Sequence, residues 1–82
     1  MEDLLSTREM AWILDRSPAS IRRMIREGEI EGIRISGGFR VLKAEALRLA
    51  RERIEREARR KVSDRDLEKL IDEVVASNEA RS

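Results

Sequence analysis

The chain contains no cysteine and no histidine in its 82 residues. Without cysteine there is no disulfide framework. Without either residue there is no zinc cluster and no His-based acid–base or nucleophilic site. Tyrosine is absent too, and Trp12 and Phe39 are the only aromatics beside a single proline, Pro18. No apolar run approaches the ~20 residues that a membrane span needs, and no signal-peptide pattern is present, so the cytoplasm is the expected compartment. What fills the composition is charge, 43% of all residues, with 18 bases against 17 acids. Most carboxylates lie three or four positions from an arginine, the spacing of surface ion pairs. We expect a protein that is not an enzyme, with no catalytic residues, no cofactor and no metal.

The near-neutral balance hides a strong asymmetry. Residues 1–15 hold one base and four acids, residues 16–43 hold seven bases and three acids, and residues 44–82 hold ten of each. The positive excess therefore sits in one short stretch, as phosphate binding requires. Beyond it, residues 48–61 are basic and residues 62–82 acidic.

Punctuation within the first half defines the elements. At Ser6-Thr7-Arg8-Glu9 the Ser6 hydroxyl can accept from the Glu9 N–H while the Glu9 carboxylate reaches back to Ser6, a capping box that opens a helix. Met10, Ala11, Ile13 and Leu14 give this helix its apolar stripe, and it should end near Asp15. Ser17 then suits an N-cap and Pro18 the first helical position. A second helix follows from Pro18 to about Glu27, stopped by Gly28. Ile21, Met24 and Ile25 fall on its inner face; Ala19, Ser20, Arg22, Arg23 and Arg26 fall on the other. Small residues at its start let the backbone approach a major groove ~12 Å wide, and the arginines reach base edges or phosphates.

Ile33-Arg34-Ile35-Ser36 alternates as a half-buried strand should, and Phe39-Arg40-Val41-Leu42 returns after the Gly37-Gly38 turn signal. A three-residue loop of Gly37, Gly38 and Phe39 sets Ile35 opposite Val41 and keeps the faces unmixed. In that register Ile33, Ile35 and Val41 pack on the helices, and Arg34 and Arg40 share the outer face.

Taken together, residues 6 to about 49 resemble the winged helix-turn-helix of the excisionase and MerR-like superfamily. The matching residues are Glu9-Met10-Ala11, the run from Ser17 to Gly28, Ile30, Ile33-Arg34-Ile35 and the Gly37-Gly38-Phe39-Arg40 tip. The resemblance implies double-stranded DNA as partner, with helix 18–27 in the major groove and wing 33–42 on the minor groove or backbone. The residues it assigns to DNA are Ser17, Ala19, Ser20, Arg22, Arg23, Arg26, Arg34, Gly37, Gly38, Phe39 and Arg40. Asp15 stands where the family often has glycine, and Arg16 where it is usually apolar. Phe39 replaces a commonly basic tip residue, and either wedges into a groove or folds back on the wing.

The fold expected is mainly α with a small β-hairpin: a winged helix-turn-helix over residues 1–46, followed over 47–82 by a long helix and a C-terminal amphipathic helix. A helix from about Lys43 to about Lys61 carries Leu47, Ala50, Ile54 and Ala58 in a narrow stripe. Val62-Ser63-Asp64 reads as a break. Helix 64–77 then places Leu67, Leu70, Ile71, Val74 and Val75 at heptad-like positions, so its apolar face needs a partner. It can fold back on the long helix, pair with a second subunit or bind another protein. MerR-like proteins commonly dimerise through a helix after the wing, which makes a homodimer the first expectation. Its interface would use Trp12, Leu47, Ile54, Leu67, Leu70, Ile71, Val74 and Val75. Two functions fit: a sequence-specific DNA-binding regulator or excisionase-like factor, and an antitoxin-type protein whose C-terminal segment 64–82 neutralises a partner protein while DNA binding serves autoregulation.

Overall fold

The structure is a computed structural model that describes residues 4–80, with side chains through Ser77. The element order is β1 (Leu4–Ser6), α1 (Thr7–Leu14), α2 (Pro18–Arg26), β2 (Ile33–Ile35), β3 (Gly38–Leu42), α3 (Lys43–Ala58) and α4 (Asp64–Ala80). The architecture is a winged helix-turn-helix followed by two helices.

Each helix of the reader begins and ends as its sequence dictates. The Glu9 N–H donates to Ser6 Oγ at 3.1 Å and the Ser6 N–H to Glu9 Oε1 at 2.8 Å, completing the capping box. The α1 helix closes on Asp15, whose φ of 55° is left-handed. Aspartate tolerates that region better than most residues do, so the turn forms without glycine. At the far end of α2, the Gly28 N–H donates to the Ile25 carbonyl and the Glu29 N–H to the Met24 carbonyl, at 3.1 and 2.9 Å. With Gly28 at φ 82° this is a Schellman stop.

The sheet departs from the expected hairpin. It has three antiparallel strands in the order β1-β3-β2, and β1 was not anticipated. Leu5 pairs with Val41, while Ile33 pairs with Arg40, Arg34 with Phe39 and Ile35 with Gly38. The turn is therefore Ser36-Gly37, with Gly37 at φ 88°, and Gly38 and Phe39 belong to β3. Because paired residues share a face and neighbours alternate, Arg34 lies with Phe39, Val41 and Leu5, and Arg40 lies opposite with Ile33 and Ser6. The shared outer face expected for Arg34 and Arg40 is thus corrected. Leu5 supplies the apolar cover that the hairpin was expected to find in Ile33 and Ile35, so Ile33 is left 40% exposed while Val41 is fully buried.

One core runs through the whole chain. It contains Leu5, Met10, Ala11, Ile13, Ile21, Ile30 and Val41 from the reader, Ala46 and Ala50 from α3, and Leu67 and Ile71 from α4. The junction expected between residues 46 and 47 falls inside α3. That helix ends at Ala58 rather than Lys61, with Arg59 left-handed at φ 55°. The cause is non-local: the Val62 N–H donates to Glu55 Oε2 at 3.1 Å, and Arg51 donates to the Val62 carbonyl and to Asp64. Ser63 then caps α4, accepting from the Asp66 N–H at 3.2 Å.

The apolar face of α4 finds its partner within the chain, against α1 and α3. Leu67 and Ile71 are core residues rather than intersubunit ones, and Leu47, Ile54, Val74 and Val75 pack around that core. The side chains of residues 78–82, part of the segment considered for neutralising a partner, lie outside the described residues.

Candidate nucleic-acid interface

The geometry of α2 starts from one buried anchor. Ile21 is completely covered, and Met24 and Ile25 pack half-buried beside it. A helix fixed along that line presents the rest of its circumference outward. Ala19, Arg22, Arg23 and Arg26 are exposed and Ser20 is half-buried. At the start of α2, Ser17 Oγ accepts from the Ser20 N–H at 3.1 Å and its hydroxyl donates to Ser20 Oγ at 3.2 Å. Both serines thus shape the N-terminus of α2, which is also its positive end.

The arginines divide into two populations. On α3, Arg48 binds Glu45 and Glu52, Arg51 binds Glu55 and Asp64, and Arg53 binds Glu57 at 2.8 Å. On α2, Arg22, Arg23 and Arg26 form no ion pair or hydrogen bond among the described residues. A long cation held at an exposed helix face without a counter-charge is available to phosphate oxygens and base edges.

The wing follows α2 in the chain. Arg34 holds its guanidinium 6.0 Å from the centroid of Phe39, on the same side of the hairpin. Phe39 is half-buried. Arg40 turns its Nη1 onto the Phe39 carbonyl at 2.8 Å. Gly37 forms the exposed tip, and Gly38 is half-buried at the start of β3. Of the wing residues expected to meet DNA, Arg34 and Gly37 are exposed, whereas Arg40 and Phe39 are engaged with the wing itself.

Elsewhere, Trp12 is 62% exposed and stands at an open groove between α1 and α4 of about 710 Å³. Leu70 and Val74 line it from α4, and Arg8, Asp15 and Arg16 stand around it. Trp12, Leu70 and Val74 were expected at an interface; the part played by Arg8, Asp15 and Glu73 was missed. Its signal is the i, i+4, i+7 spacing of Arg8, Trp12 and Asp15, which puts all three on one side of α1.

A capped two-helix unit with a basic outer helix and a β wing defines a helix-turn-helix reader. A family model described as a helix-turn-helix domain matches residues 4–54, well over half of the chain. The chain belongs to the helix-turn-helix domain family, and that membership supports DNA as its partner. No curated protein and no solved structure matches the chain. The match ends within α3, so α4 lies outside it. Among the described residues no helix is long and apolar enough to cross a membrane.

Proposed function

We propose that this chain is a sequence-specific double-stranded DNA-binding regulator or excisionase-like factor of the cytoplasm, not an enzyme, that places α2 in the major groove and its wing on the flanking backbone or minor groove. The observation that carries the reading is the unpaired arginine face of α2, set on a helix whose opposite face is anchored by Ile21. Arginine is abundant throughout the chain; Arg48, Arg51 and Arg53 of α3 are paired with carboxylates, and those of α2 are not.

Sequence discrimination requires reading length. Nine residues of α2 span about 13 Å at 1.5 Å per residue, enough to reach only a few base pairs. A homodimer on two half-sites doubles that reading length, and we propose this as the binding form. The antitoxin-type reading has less support, because Leu67 and Ile71 of its proposed effector helix are already used in this chain's own core.

The test is Arg22→Ala with Arg23→Ala, measured as DNA affinity over a series of salt concentrations. Each arginine removed from a phosphate should flatten the log–log slope by about 0.9, and loss of a base contact should relax specificity at that position. Unchanged affinity and slope would remove α2 as the reader.

A further inference from the structure

We infer that the Trp12 face of α1, together with the α4 wall beside it, is the surface on which a second copy of this chain docks about a twofold axis. The inference rests on the proposed homodimer and assigns its interface.

Three observations lead there. Trp12 is the largest side chain of the protein and is 62% exposed, on a helix that buries Met10 and Ile13. It does not stand alone: it rims a groove whose far wall is Leu70 and Val74, two apolar residues of α4 that the core leaves partly uncovered. Wide aromatic surface beside a concave apolar wall is how interface anchors are built. Leu70 and Val74 therefore extend the buried stripe of Leu67 and Ile71 toward the groove, beyond what this chain's own core covers.

The charges choose the occupant. A twofold contact must be self-complementary, so the same patch has to offer both a group and its counterpart. Along α1, Arg8 and Asp15 flank Trp12 on one side of the helix, seven residues and about 10 Å apart. An antiparallel approach of two α1 helices brings Arg8 against the partner's Asp15 and Asp15 against the partner's Arg8, with the two Trp12 rings near the axis. On the rim, Arg16 and Glu73 repeat the pairing between the reader turn and α4. A patch for nucleic acid would carry one sign of charge; this one carries two bases and two acids. None of Arg22, Arg23, Arg26 or the wing residues lines it, so the pairing leaves the reader face uncovered.

The experiment follows self-association without DNA. Trp12 is the only tryptophan, so its emission reports on this surface alone. Sedimentation equilibrium and Trp12 emission would be recorded from about 1 µM to about 1 mM, the range that a small interface requires. The expected result is a monomer–dimer equilibrium with a blue shift that tracks dimer formation. Trp12→Ala should weaken the dimer at least about tenfold with unchanged far-UV circular dichroism, because most of the residue's surface is exposed in the monomer. Arg16→Glu alone and Glu73→Arg alone should each weaken it through like-charge contacts. An equimolar mixture of those two variants should recover association, since each then offers the other its missing counter-charge, an effect that a folding defect cannot imitate. A protein that stays monomeric throughout, or a dimer indifferent to Trp12→Ala and to the charge changes, would overturn the assignment. Both outcomes are separable from failure of the DNA-binding reading, which is measured by the α2 arginine variants in the presence of duplex.

Discussion

Ile71 decides whether α4 is an appendage or part of the reader's core. Its side chain is fully covered, and Leu67, one helical turn before it, is covered almost as completely. Truncating a buried isoleucine to alanine removes three carbons and leaves a void that the surroundings fill only in part, at a cost of about 2–5 kcal/mol. A domain of this size is expected to have a total stability of roughly 4–12 kcal/mol. Ile71→Ala should therefore take about a sixth or more of it. Urea unfolding should be followed by far-UV circular dichroism, which reports on all helices, and by Trp12 emission, which reports on α1. Since α4 packs on both α1 and α3 in one core, the two signals should shift together to lower urea, as one cooperative transition. Lys69→Ala, an exposed change on the same helix, should stay within about 0.5 kcal/mol of the parent. If Ile71→Ala leaves the Trp12 transition in place while α4 melts alone, the single-core account is refuted. Leu67→Ala with Ile71→Ala should cost less or more than the sum of the two, because neighbours one turn apart share the same void.

Two other changes probe the reader directly. Glu45 is held below the usual carboxylate range, first by its hydrogen bonds from Arg48, against an opposing effect of burial, and then by the Glu31 N–H at 3.0 Å. A carboxyl whose pKa is lower folded than unfolded contributes stability above its unfolded value of about 4.3, and that contribution is lost as pH falls through the folded value. Thermal midpoints should thus drop on acidification below about pH 4.5, and Glu45→Gln should lower the neutral-pH midpoint and flatten that acid limb; an unchanged limb would refute the link. Gly32 is a matter of space rather than conformation: an added Cβ would meet Ile25 Cγ2 at 2.7 Å. Gly32→Ala should push on the inner face of α2 and cost about 1–3 kcal/mol in urea unfolding, and a value near zero would mean that Ile25 relaxes freely.

How much of this was legible in the sequence depended on the distance over which each feature is decided. Capping boxes, N-caps and the Schellman stop involve residues three to five apart, so Ser6, Glu9, Ser17 and Gly28 announced the helices and their limits. The wing register did not follow from the hairpin's own pattern, because it is fixed by a third strand. Leu4-Leu5-Ser6 is too short to show alternation, and Ser6 serves both as the end of β1 and as the cap of α1. The end of α3 was equally hidden, since it depends on Glu55 and Arg51 holding Val62 at separations of 7 and 11 residues. Heptad-like spacing in α4 showed that Leu67 and Ile71 would be buried, but burial against the chain itself and against a second subunit leave the same pattern.

The allocation of arginines explains why a nearly neutral chain can carry a DNA reader. Arg53 donates to the Ile13 carbonyl at 2.6 Å while holding Glu57 at 2.8 Å and standing 4.0 Å from Asp15. A cation at that position satisfies one of the last carbonyls of α1 and complements the negative end of its dipole. It also fixes the chain just before the turn into α2, so the angle between the two reader helices is set partly from α3. Ala46 and Ala50 let α3 lie close enough for this contact, and Leu67 and Ile71 of α4 close the core behind it. Arg48, Arg51 and Arg53 after the wing therefore do structural work as paired cations, while Arg22, Arg23 and Arg26 of the reader helix keep their guanidinium groups unpaired. Spread evenly, the same 18 bases and 17 acids would give neither the clamp on α1 nor the exposed cationic face of α2.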